Sequence, residues 1–209
     1  MTQANEQYFS AHPTTKDVRS TLDVTIRGRN YTVEVSNSVF SNSRLDLGTK
    51  VLLDRAPAPE GTNLLDIGCG WGPITLGLAA DAPQDATVWG VDVNERAVEL
   101  TTKNAQTAGL THVSAGTSES LADAWKGVTF DTIWSNPPIR IGKEALHALL
   151  LEYLPRLTPE TGRAYLVVQK HLGADPLIAW LNDQLGDQGL SATKYASAKG
   201  YRIIEVTRH

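Results

Sequence analysis

The chain has 209 residues, of which 41% are hydrophobic and 20% are charged, and its formal net charge is −4. This composition excludes a disordered or collagen-like chain, and no apolar run is long enough to predict a transmembrane helix. The single cysteine, Cys69, excludes an internal disulfide and a cysteine-rich zinc site. The polar N-terminus has no apolar segment typical of a signal peptide, so we expect a cytoplasmic protein.

The charge is distributed unevenly along the chain. Residues 1–55 carry a net charge of +1, residues 56–135 carry −7, and residues 136–209 carry +2. A polyanionic partner such as RNA would therefore contact the two outer segments rather than the acidic middle.

The first predicted elements form a small N-terminal extension. Apolar and polar residues alternate between Leu22 and Val35, which predicts a β-hairpin with its turn at Gly28-Arg29-Asn30. A short helix is predicted over Thr49–Arg55, ending before two alternating prolines. We assign residues 1–56 to an arm, hairpin and helix that pack on the core, and residues 57–209 to the core domain.

Strands and helices then alternate, which predicts a mostly parallel sheet buried on both faces. The predicted strands are Asn63–Ile67, Thr87–Val91, Val113–Ala115, Thr129–Trp134, Arg163–Val168, Leu190–Tyr195 and Tyr201–Val206. The predicted helices are Pro73–Ala80, Glu95–Thr107, Lys143–Leu154 and Pro176–Leu185. No helix separates the last two strands, so they should form an antiparallel C-terminal hairpin. The expected fold is a Rossmann-like α/β fold with seven strands, flanked by helices.

A glycine-rich loop follows the first strand of this sheet. Gly68, Gly70 and Gly72 form the pattern G-x-G-x-G and lead into a helix. Glycines allow the backbone to approach a ligand closely, and this loop lies at the edge where α/β sheets bind ligands. Asp92 ends the second strand, where a carboxylate can accept hydrogen bonds from both hydroxyls of a ribose. The sequence therefore predicts a nucleotide site.

The identity of the nucleotide depends on Asp66 and on the glycine spacing. A dinucleotide-binding loop reads G-x-G-x-x-G, whereas here the third glycine comes one residue early. The Asp66 carboxylate would repel a pyrophosphate but suits a cation. S-adenosylmethionine, with its positive sulfonium and amino groups, fits the acidic segment better than a nicotinamide dinucleotide, which we keep as an alternative.

The segment from Asp66 to Gly72, together with Asp92, resembles the first two motifs of the class I S-adenosylmethionine-dependent methyltransferases. The resemblance implies a seven-stranded sheet whose last strand is antiparallel, and S-adenosylmethionine as the cofactor. The third motif of the family often places an acidic residue near the adenine. This chain has Gly116-Thr117-Ser118 there, so Ser118 is the candidate contact.

Asn136, Pro137 and Pro138 end the fourth strand at the same edge of the sheet. This sequence resembles the motif of methyltransferases that modify planar amines: adenine N6, guanine N2 or a glutamine amide. The Asn136 side-chain oxygen and the Pro137 carbonyl can accept the two N–H bonds of such an amine, and Pro138 helps to fix the carbonyl direction. The sequence alone therefore predicts that Asn136→Asp damages catalysis less than Asn136→Ala.

The residues after the prolines are candidates for substrate binding. Ile139 stands where adenine and glutamine-amide enzymes usually have an aromatic residue, and Arg140 and Lys143 can hold a phosphate or a base edge. An aromatic residue elsewhere would have to stack on the target, and the candidates are Tyr8, Phe9, Trp71 and Trp134.

A wider set of segments resembles the small-domain methyltransferases, which include the guanine-N2 methyltransferases of ribosomal RNA. The segments are Tyr8-Phe9-Ser10, Pro13-Thr14-Thr15-Lys16, Val39-Phe40-Ser41, Leu45-Asp46-Leu47-Gly48-Thr49, Asn136-Pro137-Pro138-Ile139-Arg140, Gly142-Lys143 and Gly200-Tyr201-Arg202. The resemblance implies a cofactor contact at Thr49, a position of Asn136 beside the cofactor, and an RNA substrate, either ribosomal RNA or a ribosomal particle.

Two other functions remain open at this point. A glutamine-amide protein methyltransferase would share the Asn-Pro-Pro motif, although Ile139 argues against it. A non-catalytic RNA-assembly factor would keep the fold, although the intact Asp66, Asp92 and Asn136 argue against that function. The five histidines show no metal-ligand spacing, so we expect no metal site.

Overall fold

The computed structural model describes residues 16–209, apart from the side chain of Arg140. Tyr8, Phe9 and Ser10 lie outside the described residues, as do Pro13, Thr14 and Thr15.

The described chain contains nine strands and six α-helices. The strands are β1 (Arg19–Ile26), β2 (Arg29–Ser36), β3 (Asn63–Ile67), β4 (Thr87–Val91), β5 (Val113–Gly116), β6 (Thr132–Ser135), β7 (Arg163–Gln169), β8 (Leu190–Ala198) and β9 (Tyr201–Arg208). The helices are α1 (Leu47–Arg55), α2 (Pro73–Asp81), α3 (Glu95–Thr107), α4 (Ser118–Leu121), α5 (Lys143–Tyr153) and α6 (Ala174–Leu185). Within residues 16–209, no helix is both long and apolar enough to cross a membrane.

The seven strands β3–β9 form one sheet in the order β5-β4-β3-β6-β7-β9-β8. The strands β3 to β7 are parallel to one another, and β9 is antiparallel to both β7 and β8. The predicted fold class and C-terminal hairpin are therefore confirmed. The two strands of the hairpin are not added to the sheet in chain order. The last strand, β9, lies between β7 and β8, so β8 is the edge strand.

The sheet is buried on both faces, and the alternation along β3 shows how. Leu64 and Leu65 have no accessible surface and belong to two separate apolar clusters. The first cluster contains α1, α2, α3 and the β1–β2 hairpin, and the second contains α5 and α6. Asp66 lies on the Leu64 face, so this carboxylate is buried within the first layer.

The β1–β2 hairpin is attached to the core through Asn104 of α3. The Asn104 side chain accepts from the Glu34 backbone N–H at 2.8 Å and donates to the carbonyls of Glu34 and Trp71 at 2.9 and 2.8 Å. This contact joins the extension to the glycine-rich loop. The division of the chain at residue 56 stays a prediction.

Several predicted boundaries are wrong, and two of them have a structural reason. Arg29 and Asn30 belong to β2, because Arg27 and Gly28 form a two-residue turn in which both residues have positive φ. The strand predicted from Thr129 begins only at Thr132, because Phe130 pairs with Leu157 in an isolated bridge.

Candidate active site

The strand register aligns the predicted site residues along one edge of the sheet. Ile67 pairs with both Val91 and Ser135, and Val91 pairs with Gly116. The next residues in the chain are Gly68, Asp92, Asn136 and Thr117, so four loops leave the sheet side by side. The chain crosses to opposite sides of β3 when it forms β4 and β6, and ligands bind at such a switch point.

The glycine-rich loop presents an open backbone surface. Gly68 and Gly70 have φ values of 77° and 59°, which favour glycine over other residues. A Cβ on Gly68 would meet no atom within 4 Å, so that side of the loop is free to accept a ligand. Gly72 differs, since a Cβ there would lie 3.2 Å from the Thr101 hydroxyl oxygen. We infer that Gly68 and Gly70 allow ligand approach, whereas Gly72 allows α2 to pack on α3.

Asp92 connects the glycine-rich loop to the start of α3. Its Oδ2 accepts from the Gly70 backbone N–H at 3.0 Å, and its Oδ1 accepts from the Asn94 backbone N–H at 2.9 Å. Burial raises the pKa of Asp92, and hydrogen bonds from backbone N–H groups oppose the rise. Each carboxylate oxygen keeps a further lone pair, so both can also accept a hydroxyl of a ligand.

Asp66 is fully buried and only half satisfied. Its Oδ2 accepts from the Thr75 hydroxyl at 2.7 Å, whereas its Oδ1 has no hydrogen-bond partner. Burial, with a smaller contribution from the negative charge of Asp92, raises the pKa of Asp66 to about 7. A buried polar atom without a hydrogen-bond partner costs stability, so ionised Asp66 destabilises the folded protein.

This destabilisation makes a testable prediction about pH. An exposed aspartate ionises near pH 4, so the unfolded chain loses this proton before the folded chain does. Protonated Asp66 therefore contributes to the unfolding free energy in full below about pH 4, and this contribution is lost as the pH rises through 7. The total loss is about 4 kcal/mol. Denaturant unfolding at pH 5 and pH 8 should show a larger loss for the wild type than for Asp66→Asn, whose amide cannot titrate. Equal losses would contradict the burial argument.

Asn136 is held by two residues of the N-terminal extension. Its side-chain nitrogen donates to the Asp46 Oδ2 at 2.9 Å and to the Thr49 hydroxyl oxygen at 3.0 Å. A carboxylate can only accept, so the amide nitrogen must face Asp46 and the amide oxygen must face away. Thr49, predicted as a cofactor contact, lies against Asn136 and is buried.

The two prolines form a compact turn. The Pro137 carbonyl accepts from the Ile139 backbone N–H at 2.8 Å, and the Pro138 carbonyl accepts from the Ile141 N–H at 3.1 Å. The Pro137 carbonyl therefore has one lone pair left for a substrate amine. Ile139 is partly buried and packs against the second apolar cluster.

The remaining predicted residues are spread along the same edge. Lys143 is exposed at the start of α5, and the side chain of Arg140 lies outside the described part of the chain. Ser118 is exposed at the start of α4, where its hydroxyl donates to Glu152 of α5 at 3.0 Å. Ser118 is thus tied to α5 rather than to the other site residues.

Two of the predicted stacking residues belong to the core. Trp71 and Trp134 are 1% and 0% exposed, so neither can stack on a substrate in this conformation. Phe40, in contrast, is 48% exposed. Its neighbours are fixed near the site, because Ser38 accepts from Asn94 and Ser41 accepts from the Trp71 indole through their carbonyls. Phe40 is not among the stacking residues predicted from the sequence, although it lies in one of the segments that carry the family resemblance.

The geometry can be compared with known proteins. The family described as "Methyltransferase small domain" matches residues 30–205. The chain belongs to this family. It is an S-adenosylmethionine-dependent methyltransferase, as the glycine-rich loop and the edge residues predict.

Three relatives place this methyltransferase within the family. The uncharacterised protein YbxB from Bacillus subtilis (strain 168) is 36% identical over 205 residues, covering 98% of this chain and 99% of YbxB. Ribosomal RNA small subunit methyltransferase C from Hahella chejuensis is 33% identical over 151 residues, covering 71% of this chain and 42% of that protein. The solved structure of T. Thermophilus 16S rRNA N2 G1207 methyltransferase (RsmC), in complex with AdoMet and guanosine, has a TM-score of 0.74 and 25% identity.

The lengths of these relatives differ. In that superposition, the matched region is 94% of this methyltransferase and 52% of the Thermus chain. It therefore spans about half or less of the two ribosomal RNA enzymes and almost all of YbxB.

The residues present fit the chemistry of S-adenosylmethionine. The cofactor has two positive groups and a ribose with two hydroxyls. The edge offers a buried carboxylate with a free oxygen at Asp66, a second carboxylate at Asp92, and an open backbone at Gly68. Among the described residues, no group of three or more histidines, cysteines or acidic residues could hold a metal ion.

Proposed function

We propose that this methyltransferase modifies the exocyclic N2 amine of guanine in ribosomal RNA. The observation that carries the proposal is the orientation of Asn136, whose nitrogen is bonded to Asp46 and Thr49 so that its oxygen is left to accept a hydrogen bond. The Hahella relative is a ribosomal RNA methyltransferase and the Thermus relative a 16S rRNA N2 G1207 methyltransferase, which supports guanine in ribosomal RNA as the target.

A planar amine is a poor nucleophile because its lone pair is delocalised into the ring. The Asn136 oxygen and the Pro137 carbonyl would each accept a hydrogen bond from one of its N–H groups. These two hydrogen bonds would orient the nitrogen and favour a geometry in which its lone pair is no longer delocalised into the ring. S-adenosylmethionine, held by Asp66, Asp92 and the glycine-rich loop, would supply an electrophilic methyl group to this nitrogen and would leave as the neutral thioether, while one N–H proton of the amine would go to solvent. The protein contributes positioning and electrostatics, and no strong base is needed.

The cofactor residues follow from the same edge. Asp92 would hold the ribose hydroxyls, and Asp66 would face a cationic group with its unpartnered oxygen. The backbone of Gly68, Gly70 and Gly72 would line the cofactor, with Thr49 and Asn136 at its border. Ser118 would contact the adenine. For this contact, the Ser118 hydroxyl must either break its hydrogen bond to Glu152 or keep it and accept a hydrogen bond from the adenine amine.

Ile139 supports guanine over adenine or a glutamine amide as the target. An aliphatic side chain gives apolar contact but no π-stacking, whereas the adenine and glutamine-amide enzymes that the Asn-Pro-Pro motif resembles usually have an aromatic residue there. The exposed Phe40 is a candidate for stacking on the base in its place.

Three lysines support RNA as the partner. Lys143, Lys170 and Lys199 are exposed, and none forms an ion pair within residues 16–209. Lys143 begins α5, Lys170 follows β7, and the backbone N–H of Lys170 donates to the Gly200 carbonyl beside Lys199. All three therefore lie near the edge that carries Asn136, although the protein is acidic overall. A ribosomal substrate also agrees with the cytoplasmic location expected from the sequence.

The lysines give a prediction about salt. If each contacts one phosphate, Lys143→Ala, Lys170→Ala and Lys199→Ala should each weaken RNA binding and reduce the slope of log affinity against log salt by about 1. Lys126→Ala is the matched control, because Lys126 is exposed and precedes β6 at the opposite edge. Fluorescence titrations at several salt concentrations measure the slopes. Unchanged slopes in all three variants would favour a protein or small-molecule acceptor.

The proposed function is tested by offering several acceptors to the purified protein with methyl-labelled cofactor. We expect transfer to ribosomal RNA or ribosomal particles lacking the modification, and recovery of the label as N2-methylguanosine. Transfer to a glutamine side chain would identify the alternative protein methyltransferase. Cofactor binding without transfer to any acceptor would support a non-catalytic assembly factor.

A further inference from the structure

Asp46 makes two contacts through one carboxylate oxygen. Its Oδ2 accepts from the Thr49 backbone N–H at 3.0 Å, which caps the N-terminus of α1, and from the Asn136 side-chain nitrogen at 2.9 Å. Asp46 and Asn136 are 90 residues apart in the sequence. One side chain therefore joins the start of α1 to the loop that follows β6.

The support for Asp46 is well packed. Gly48, in the first turn of α1, is buried and lies against the ring of Tyr201 at the start of β9, so closely that a Cβ on Gly48 would be 2.9 Å from the ring. The rest of α1 contributes Val51, Leu52 and Leu53 to the first apolar cluster. Asp46 thus extends from a fixed helix terminus and is not on a mobile loop.

The chemistry of the carboxylate decides which atom Asn136 presents. Asparagine can rotate its amide by half a turn and exchange its oxygen and nitrogen. Thr49 does not distinguish the two states, because a hydroxyl can donate or accept. Asp46 does, because a carboxylate only accepts and would repel the amide oxygen.

We propose that Asp46 is a positioning residue that fixes the Asn136 amide with its oxygen toward the substrate. This inference rests on the proposed function, in which that oxygen accepts an N–H bond of the target amine. Without Asp46, a fraction of the molecules would present the amide nitrogen, which cannot accept that bond.

Two substitutions separate positioning from helix capping. Serine caps a helix about as well as aspartate but is one carbon shorter, so Asp46→Ser should keep α1 and lose the contact with Asn136. Turnover should fall about 10- to 100-fold, while the cofactor affinity changes little and the melting temperature falls only by the loss of the one hydrogen bond to Asn136. Asp46→Asn can place its oxygen where Oδ2 lies and should recover most of the turnover lost in Asp46→Ser. Asp54→Ser, on the exposed face of α1, is the matched control.

The decisive measurement is a double-variant cycle with Asn136→Ala. If Asp46 acts through Asn136, Asp46→Ser should cause no further loss of turnover once Asn136 is alanine. An equal loss in both backgrounds would overturn the proposal. Thermal unfolding of the same four proteins should show that the shift in the double variant is smaller than the sum of the single shifts, and strict additivity would also count against the contact. If the wild type methylates no planar amine but this coupling in melting temperature persists, the proposed function fails while the Asp46–Asn136 contact stands.

Discussion

Asn136→Ala is expected to lower turnover by about 10²- to 10³-fold while leaving the affinity for S-adenosylmethionine nearly unchanged. The substitution removes the amide oxygen that we propose as an acceptor for the target amine. It leaves Asp92 and the glycine-rich loop intact, because within the described chain the hydrogen bonds of the Asn136 side chain go to Asp46 and Thr49 and not to that loop. Single-turnover methyl transfer measures the first quantity, and calorimetric titration of the cofactor measures the second.

The structure reverses the expectation for Asn136→Asp. The sequence alone predicted less damage than in Asn136→Ala, since a carboxylate can also accept a hydrogen bond. The new carboxylate would face the Asp46 carboxylate at the 2.9 Å now spanned by an N–H donor, and two such oxygens repel each other unless a proton lies between them. We therefore expect Asn136→Asp to lose about as much turnover as Asn136→Ala. Near-normal turnover in either variant would mean that the Asn-Pro-Pro segment is only a turn.

Asp92→Ala is expected to reduce cofactor affinity by at least tenfold. A hydrogen bond to a charged group contributes about 1.5–3 kcal/mol, and two ribose hydroxyls would lose their acceptor. The structure adds a second cost, because the Gly70 and Asn94 backbone N–H groups lose their acceptors as well. The glycine-rich loop would then no longer be held in place, so the loss should exceed the contribution of the ribose alone.

Calorimetric titration of the cofactor into Asp92→Ala and Asp123→Ala distinguishes the loss of the Asp92 hydrogen bonds from the loss of one negative charge. Asp123 is exposed and lies in the same acidic segment, so its removal changes the net charge by the same amount. We expect full affinity in Asp123→Ala and a large loss in Asp92→Ala. Equal affinities would remove Asp92 from the cofactor site.

Local signals explain why much of the fold could be predicted from the sequence. β4 and α3 have the predicted bounds, because an apolar run defines the strand and Asn94 caps the helix by accepting from Arg96. The turn at Arg27 and Gly28 was missed, because arginine gives no signal that it will adopt a positive φ. The insertion of β9 between β7 and β8 was also missed, since a hairpin pattern does not say which strand pairs with the rest of the sheet.

Some features of the candidate site could likewise be predicted from the sequence, and others could not. The residues that follow β3, β4 and β6 could be predicted because parallel strands bring their carboxyl ends to one edge. The contact between Asp46 and Asn136 could not be predicted, because it joins the start of α1 to a loop distant in the sequence and no periodicity indicates it. The burial of Trp71 and Trp134 likewise depends on packing between layers that the sequence does not reveal.

Mass spectrometry of nucleosides from ribosomal RNA tests the central proposal most directly. RNA is compared from cells that lack the protein, from the same cells supplied with the wild type, and from cells supplied with Asn136→Ala. We expect N2-methylguanosine to be reduced at one or a few positions without the protein, to be restored by the wild type, and not to be restored by Asn136→Ala. An unchanged set of methylated guanosines, or full restoration by Asn136→Ala, would contradict the proposal.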